Sequence, residues 1–162
     1  MATQEKFKVG LKVVRGAYME KENERAKAMG YPTPICSSKQ ATDDNFDNAN
    51  RFMMENLERM SIFAGTHNEN SSMELVQQMQ QTKLKPSHDN IWFGQLYGMS
   101  EHITYNLSDS GYNVAKYVPY GPVKDVMPYL IRRAEENTSV AGQTTRELSL
   151  LQKEKKRRIL ED

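Results

Sequence analysis

Tyr129, Arg132, Arg133 and Glu136 stand in the run YLIRRAEEN at steps of three, four and seven residues from the tyrosine. At 100° per residue of helix they share one face, roughly opposite Val123, Met127, Leu130 and Ala134. Two guanidiniums flanked by a phenol and a carboxylate suit a small carboxylate ligand, because each guanidinium offers planar bidentate donors and a permanent charge. The same residues would equally make a solvated helix face, with Glu136 an ordinary helical neighbour of the two arginines. Spacing leaves both readings open.

A second group lies near predicted strand ends. Alternation along KVGLKVVRGAY puts Lys12, Val14 and Gly16 on one side and Val13 and Arg15 on the other. A cation inside a barrel is costly without a partner, so either an anionic ligand lies near Lys12 or Lys12 belongs to the other face. Gly16 and Ala17 let backbone approach a flat or bulky group, as they would at any strand end. Thr66, His67 and Asn68 set a hydroxyl, an imidazole and an amide side by side. A metal would want further ligands, and His88 and His102 lack the spacing, so His67 is expected to hydrogen-bond a cofactor or its own loop. No metal is expected. No GxSxG elbow supports a serine nucleophile, and Cys36 sits in a Pro/Ser loop without a nearby histidine. Tyr117 and Tyr120 bracket Pro119 in YVPYG, where they could wall the apolar part of a ligand or simply cap the core.

The elements that must position these groups read as four successive βα units. Strands are predicted at Val9–Val14, Ser61–Gly65, Ile91–Leu96 and Asn113–Val118. After the first comes a helix over 18–29 closed by Gly30, then one capped by Thr42. Asp43 and Asp44 fall in its first turn, and Phe46, Ala49, Met53, Leu57 and Met60 form its buried stripe. Ser71 with Glu74 reads as a capping box ahead of Leu75, Val76 and Met79. Further helices are predicted over 100–109, stopping at Gly111, over 122–137, and from Thr144, capped by Thr144 and Glu147 and anchored by Leu148, Leu151 and Leu160. Such crossovers build a parallel sheet with helices outside; an open doubly wound sheet and part of a (β/α)8 barrel both fit. Neither GxGxxG nor GxxxxGK[ST] occurs. Arg15, Thr66 to Asn68, Gln95 and Tyr117 fall at C-terminal strand ends, where barrels place function, and that favours the barrel.

The 162 residues suffice for one domain. Lys and Arg number 22 against 21 Asp and Glu, a net charge of +1, which argues against a strongly basic nucleic-acid binder. The KEKKRR run at 153–158 reads as a solvated helix face, and no nucleic-acid partner is expected. Hydrophobic residues make up 38% and the mean hydropathy is −0.76, polar for a self-contained α/β domain and a hint of an incomplete core. The single cysteine cannot form an internal disulfide. No apolar run approaches the roughly 20 residues needed to span a bilayer, and MATQEKFK shows no targeting segment.

Five stretches carry a resemblance: KVVRGAYMEKE (12–22), GTHNE (65–69), FGQLYGM (93–99), KYVPYGPVKDVMPYLIRRAEEN (116–137) and RELSLL (146–151). In this order they resemble the C-terminal half of the catalytic domain of the proline dehydrogenase family. The resemblance implies a (β/α)8 TIM barrel, with residues 1–162 covering the last four βα units plus a C-terminal helix. It implies FAD-dependent oxidation of L-proline to Δ1-pyrroline-5-carboxylate, with electrons passed to a quinone. Carried over by position, Arg132 and Arg133 would hold the proline carboxylate, with Glu136 bracing them. Tyr129, Tyr117 and Leu96 would surround the ring. Lys12, Val14, Gly16, Ala17 and Tyr18 would lie along the flavin, Thr66, His67 and Asn68 would contact FAD, Gln95 would sit near the flavin, and Arg15 would be a further cofactor contact. A eukaryotic source would place the full-length protein in the mitochondrion, on the matrix side of the inner membrane, with peripheral membrane association. Because the family's first four strands have no counterpart here, this chain alone is expected to be inactive and to relieve its open edges by self-association. Hydroxyproline dehydrogenase, on the same plan, and a non-catalytic flavin-binding or interaction module are the alternatives.

Overall fold

The structure is a computed structural model that describes residues 7–16, 18–139 and 143–161, without the side chains of 132–139, 143–147, 151, 160 and 161. The chain divides into two compact units, Met1–Tyr117 and Val118–Asp162. In the first, β1 (Val9–Val13), β2 (Met60–Gly65), β3 (Ile91–Leu96) and β4 (Val114–Tyr117) form a sheet in the order β1-β2-β3-β4. All three pairings are parallel, with Lys12 beside Phe63, Phe63 beside Trp92, and Leu96 beside Tyr117.

Parallel neighbours cannot be joined by tight hairpins, so each connection crosses back through helix. Helices α1 (Met19–Met29) and α2 (Lys39–Glu55) join β1 to β2, α3 (Glu69–Gln81) joins β2 to β3, and α4 (Glu101–Asp109) joins β3 to β4. The core lies between helices and sheet. It takes Phe46 and Met53 from α2, Ile62 and Ala64 from β2, Leu75, Val76 and Met79 from α3, Ile91 and Phe93 from β3, and Ile103 and Leu107 from α4. Residues on the other face of the strands stay accessible, Val14, Trp92 and Tyr117 being 40% exposed or more. That face is built by interleaving bulk with glycine. The Phe63 ring occupies the space over Gly94, where a Cβ would come within 2.1 Å of it. Val14 and the Lys12 stem cover Gly65 in the same way.

The predicted strands match to within a residue at each end, and Gly30 closes α1 in the left-handed conformation. Two caps fall earlier than predicted. Ser38, not Thr42, caps α2 by accepting from the Ala41 N–H at 3.0 Å, while the Thr42 hydroxyl donates back to the Ser38 carbonyl. Asn68 caps α3 by accepting from the Ser71 N–H at 3.2 Å, so Ser71 lies inside the helix and Glu74 pairs with Arg51 of α2 at 2.7 Å. Both segments hold two cap-competent residues about a turn apart, and the earlier one keeps a further turn of backbone paired. The α2 stripe also ends sooner than predicted, since Leu57 lies beyond the helix and Met60 opens β2.

The second unit holds α5 (Val123–Ser139) and α6 (Gln143–Glu161). Pro128 falls inside α5, so the Lys124 carbonyl loses its helical donor. In α6, Glu154 takes ion pairs from Arg157 at 2.7 Å and Arg158 at 2.9 Å, so two cations of the basic run are tied to a carboxylate of their own helix. The predicted Thr144/Glu147 cap rests on side chains outside the described residues.

Candidate active site at the strand ends

Strand alternation sorts the predicted site residues into two layers. Lys12 points to the open face as expected, and what receives it there is aromatic. Its Nζ lies 5.4 Å from the centre of the Phe63 ring and 5.1 Å from that of Tyr117. Lys12 and Tyr117 sit on the two outer strands, so both side chains lean inward over β2 and β3. The faces of the two rings supply the electrostatic partner that the sequence left unnamed. Val14, Leu96 and Tyr117 share this face. Phe63 and Trp92 also belong to it, and sequence reasoning missed both. Each stands in a strand whose run is apolar on both faces, so neither declared its side; the register, Phe63 beside Lys12 and Trp92 beside Phe63, assigns them.

Arg15, Thr66 and Gln95 turn the other way, into the helix layer. The Arg15 side chain is only 18% exposed and its Nε pairs with Asp43 at 2.7 Å. Its Nη1 donates to Thr66 Oγ1 at 2.7 Å, and its Nη2 donates to Ser71 Oγ. Its guanidinium lies 3.9 Å above the Phe46 ring. Burial raises the Asp43 carboxyl, but a hydrogen bond from Lys39 and the charges of Arg15 and Lys39 outweigh it and hold the group below its ordinary value. Gln95 is buried between Thr66 and α4, donating to the Thr66 carbonyl at 3.3 Å and accepting from the Thr104 hydroxyl at 3.0 Å. The physical reason is parity. Thr66 is two residues on from the core residue Ala64, and Gln95 two on from Phe93, so all four point to the helices.

The Thr66–His67–Asn68 turn is held on every side. Thr66 Oγ1 also accepts from the Asn68 N–H at 3.0 Å, and Asn68 Oδ1 caps α3. His67 Nδ1 is 2.9 Å from the hydroxyl of Ser100, a residue 1% exposed in the left-handed conformation. His102 and Glu69 pair at 2.6 Å between the first turns of α4 and α3. On the neighbouring strand Lys116 donates to the Met99 carbonyl at 2.7 Å and pairs with Glu101 at 3.2 Å, tying down the turn after β3. Among the described residues no cluster of three or more His, Cys, Asp or Glu could hold a metal.

Gly16 and Tyr18 at the end of β1 both have positive φ, 71° and 57°, and Tyr18 is largely exposed; Ala17 between them lies outside the described residues. In α5, Tyr129 is half-buried. Helical backbone runs through 129–136, which gives Tyr129, Arg132, Arg133 and Glu136 one face. The side chains of Arg132, Arg133 and Glu136 lie outside the described residues.

A parallel sheet with helices on one face, and with a lysine, aromatic rings and a braced polar turn at its C-terminal strand ends, has the layout of a (β/α)8-barrel enzyme. The chain belongs to the proline dehydrogenase family, whose family model, described as "Proline dehydrogenase", matches residues 1–146. It is 40% identical to the mitochondrial proline dehydrogenase 1 of Drosophila melanogaster over 98% of this chain and 25% of that protein. It is also 40% identical to the hydroxyproline dehydrogenase of Xenopus laevis, over 93% of this chain and 33% of that one. In three dimensions it is similar to proline utilization A from Bdellovibrio bacteriovorus inactivated by N-propargylglycine, with a TM-score of 0.76 and 28% identity over 85% of this chain and 14% of that one. The fold is accordingly part of a (β/α)8 barrel, and the chain spans about a quarter to a third of the length of these curated relatives.

Proposed function

We propose that residues 1–162 form the C-terminal half of the catalytic barrel of an FAD-dependent proline dehydrogenase. The full-length protein would oxidise L-proline to Δ1-pyrroline-5-carboxylate and pass the electrons to a quinone. One observation carries the reading: Lys12, Leu96 and Tyr117, three residues assigned to flavin and substrate by position, share the open face, with the Lys12 ammonium 5.1 Å from the Tyr117 ring.

That face fits a flavin. It offers the Lys12 ammonium over two aromatic rings, the apolar walls of Val14 and Leu96, and a braced polar turn at its rim. When bound, FAD supplies the two-electron acceptor. Lys12, Val14, Gly16, Ala17 and Tyr18 would line its position, His67 and Asn68 would meet it from the next strand end, and Thr66, Gln95 and Arg15 would hold that turn from behind.

The substrate is an α-amino acid in a five-membered ring, so the chain must grip a carboxylate and enclose a small apolar ring. Arg132 and Arg133 would bind the carboxylate as bidentate donors, and Glu136 would hold the pair in register. Tyr129, Tyr117 and Leu96 would enclose the ring. The ring carbon beside nitrogen gives up a hydride and the nitrogen a proton, leaving the C=N bond of the product. The amine must therefore be neutral as the C–H bond breaks. The test is anaerobic addition of L-proline to the full-length protein, which should bleach the flavin's visible absorbance; a purified full-length protein without flavin, or one that proline leaves oxidised, would defeat the reading.

Hydroxyproline is the rival substrate, favoured by the near-equal identity to the Xenopus relative. Tyr117, beside Leu96, would fill space that a ring hydroxyl needs, which tilts the choice to proline. The ratio of kcat/KM for the two substrates decides it. Relatives named as mitochondrial support a mitochondrial location for a eukaryotic source, where the full-length protein would be peripheral on the matrix side of the inner membrane. No helix among the described residues is long and apolar enough to cross a membrane.

A further inference from the structure

Parity turns the Arg15 side chain into the helix layer, where it joins β1 to α2, β2 and α3. It leaves the end of β1, pairs with Asp43 at 2.7 Å and lies 3.7 Å from Asp47, both on α2. It donates to Thr66 at 2.7 Å at the end of β2 and to Ser71 in the first turn of α3. Phe46 closes it from below at 3.9 Å. Besides its aspartate partners, the side chain spends two of its three nitrogens on the neutral hydroxyls of Thr66 and Ser71, which flank His67 and Asn68.

Thr66 Oγ1 accepts from Arg15 Nη1 and from the Asn68 N–H. Those two bonds occupy the acceptor capacity of the hydroxyl and fix the turn. Gln95 holds the carbonyl of the same residue. The peptide that presents His67 and Asn68 is thus clamped from behind by a permanent charge, one that is itself locked between two aspartates.

We propose that Arg15 is a positioning residue for the cofactor. Acting through Thr66, it holds the 66–68 turn in the shape that binds the flavin dinucleotide, and it touches neither flavin nor substrate. The inference rests on the flavoenzyme reading above. A lysine in its place would keep the charge beside Asp43 and Asp47 but lacks the fork that reaches Thr66 and Ser71 together.

The experiment uses the full-length protein and reads FAD affinity by flavin fluorescence on titrating apoprotein. Wild type must bind FAD; if it does not, the flavoenzyme reading fails, whatever Arg15 does. Given binding, Arg15→Met and Thr66→Val should each weaken FAD about tenfold, the loss expected for a hydrogen bond to a charged group. The double variant should be no weaker than Arg15→Met alone. Arg15→Lys should recover the melting temperature but not the FAD affinity, and proline KM at saturating FAD should stay within about twofold of wild type. Should Arg15→Met not fold, Thr66→Val and Arg15→Lys carry the test. Unchanged FAD affinity in the folded variants, additive losses in the double variant, or full rescue by lysine would each overturn the proposal.

Discussion

At the scale of single residues, strand parity divides the labour. Lys12 and Tyr117 face the open side and meet over it, while Arg15, Thr66 and Gln95 face the helices and meet there. The alternation of Lys12 and Arg15 was legible in the sequence, because KVVRG is a short strand with a charge on each face. What each charge meets was not legible: Asp43 lies 28 positions downstream and Thr66 lies 51, and only the fold brings them together. The Asp43 carboxyl, held below its ordinary value, gives a pH prediction. A carboxyl depressed in the folded state contributes stability that is present above its unfolded value, about 3.9, and is lost as pH falls through the folded value. Melting temperatures of the full-length protein between pH 5 and pH 3 should therefore fall less steeply in Asp43→Asn than in wild type. Equal slopes would remove Asp43 from the acid response.

At the scale of elements, helix and strand order were readable from periodicity, and the caps were not. Thr42 and Ser71 are both good capping residues, but Ser38 and Asn68 come first and take the role. The shift matters for function, because starting α3 at Glu69 puts Ser71 on the inner face of the helix, where Arg15 reaches it. It follows that Asn68→Ala should cost about 1 kcal/mol of stability through the lost α3 cap, measured by denaturant unfolding. Gly94 tests the interleaved open face in the same assay. A methyl there meets the Phe63 ring, so Gly94→Ala should destabilise by about 1–3 kcal/mol, and Gly94→Ala with Phe63→Leu should recover part of that loss. A neutral Gly94→Ala would mean that Phe63 does not occupy this space. The guanidinium pair was visible on α5 as a helical face, but spacing alone could not separate a binding face from a solvated one.

At the scale of the molecule, β1 and β4 each have a free edge in the sheet among the described residues, and the open face keeps Val14, Trp92 and Tyr117 accessible. The low mean hydropathy agrees with a sheet that packs helices on one face only. Parallel edges and exposed apolar side chains favour association, so the isolated 162-residue chain should run as an oligomer on size exclusion and lose added FAD on dialysis. A monomer that keeps one FAD per chain and turns over proline would show that the half-barrel is sufficient by itself.

In the full-length enzyme the guanidiniums of Arg132 and Arg133 would grip the carboxylate of proline. Steady-state kinetics of Arg132→Ala and Arg133→Ala in the full-length enzyme tests it most directly. Each variant should keep its flavin spectrum and raise proline KM by about tenfold or more, as loss of a charge-assisted bidentate contact requires. Proline KM unchanged in both variants, with flavin retained, would contradict the account.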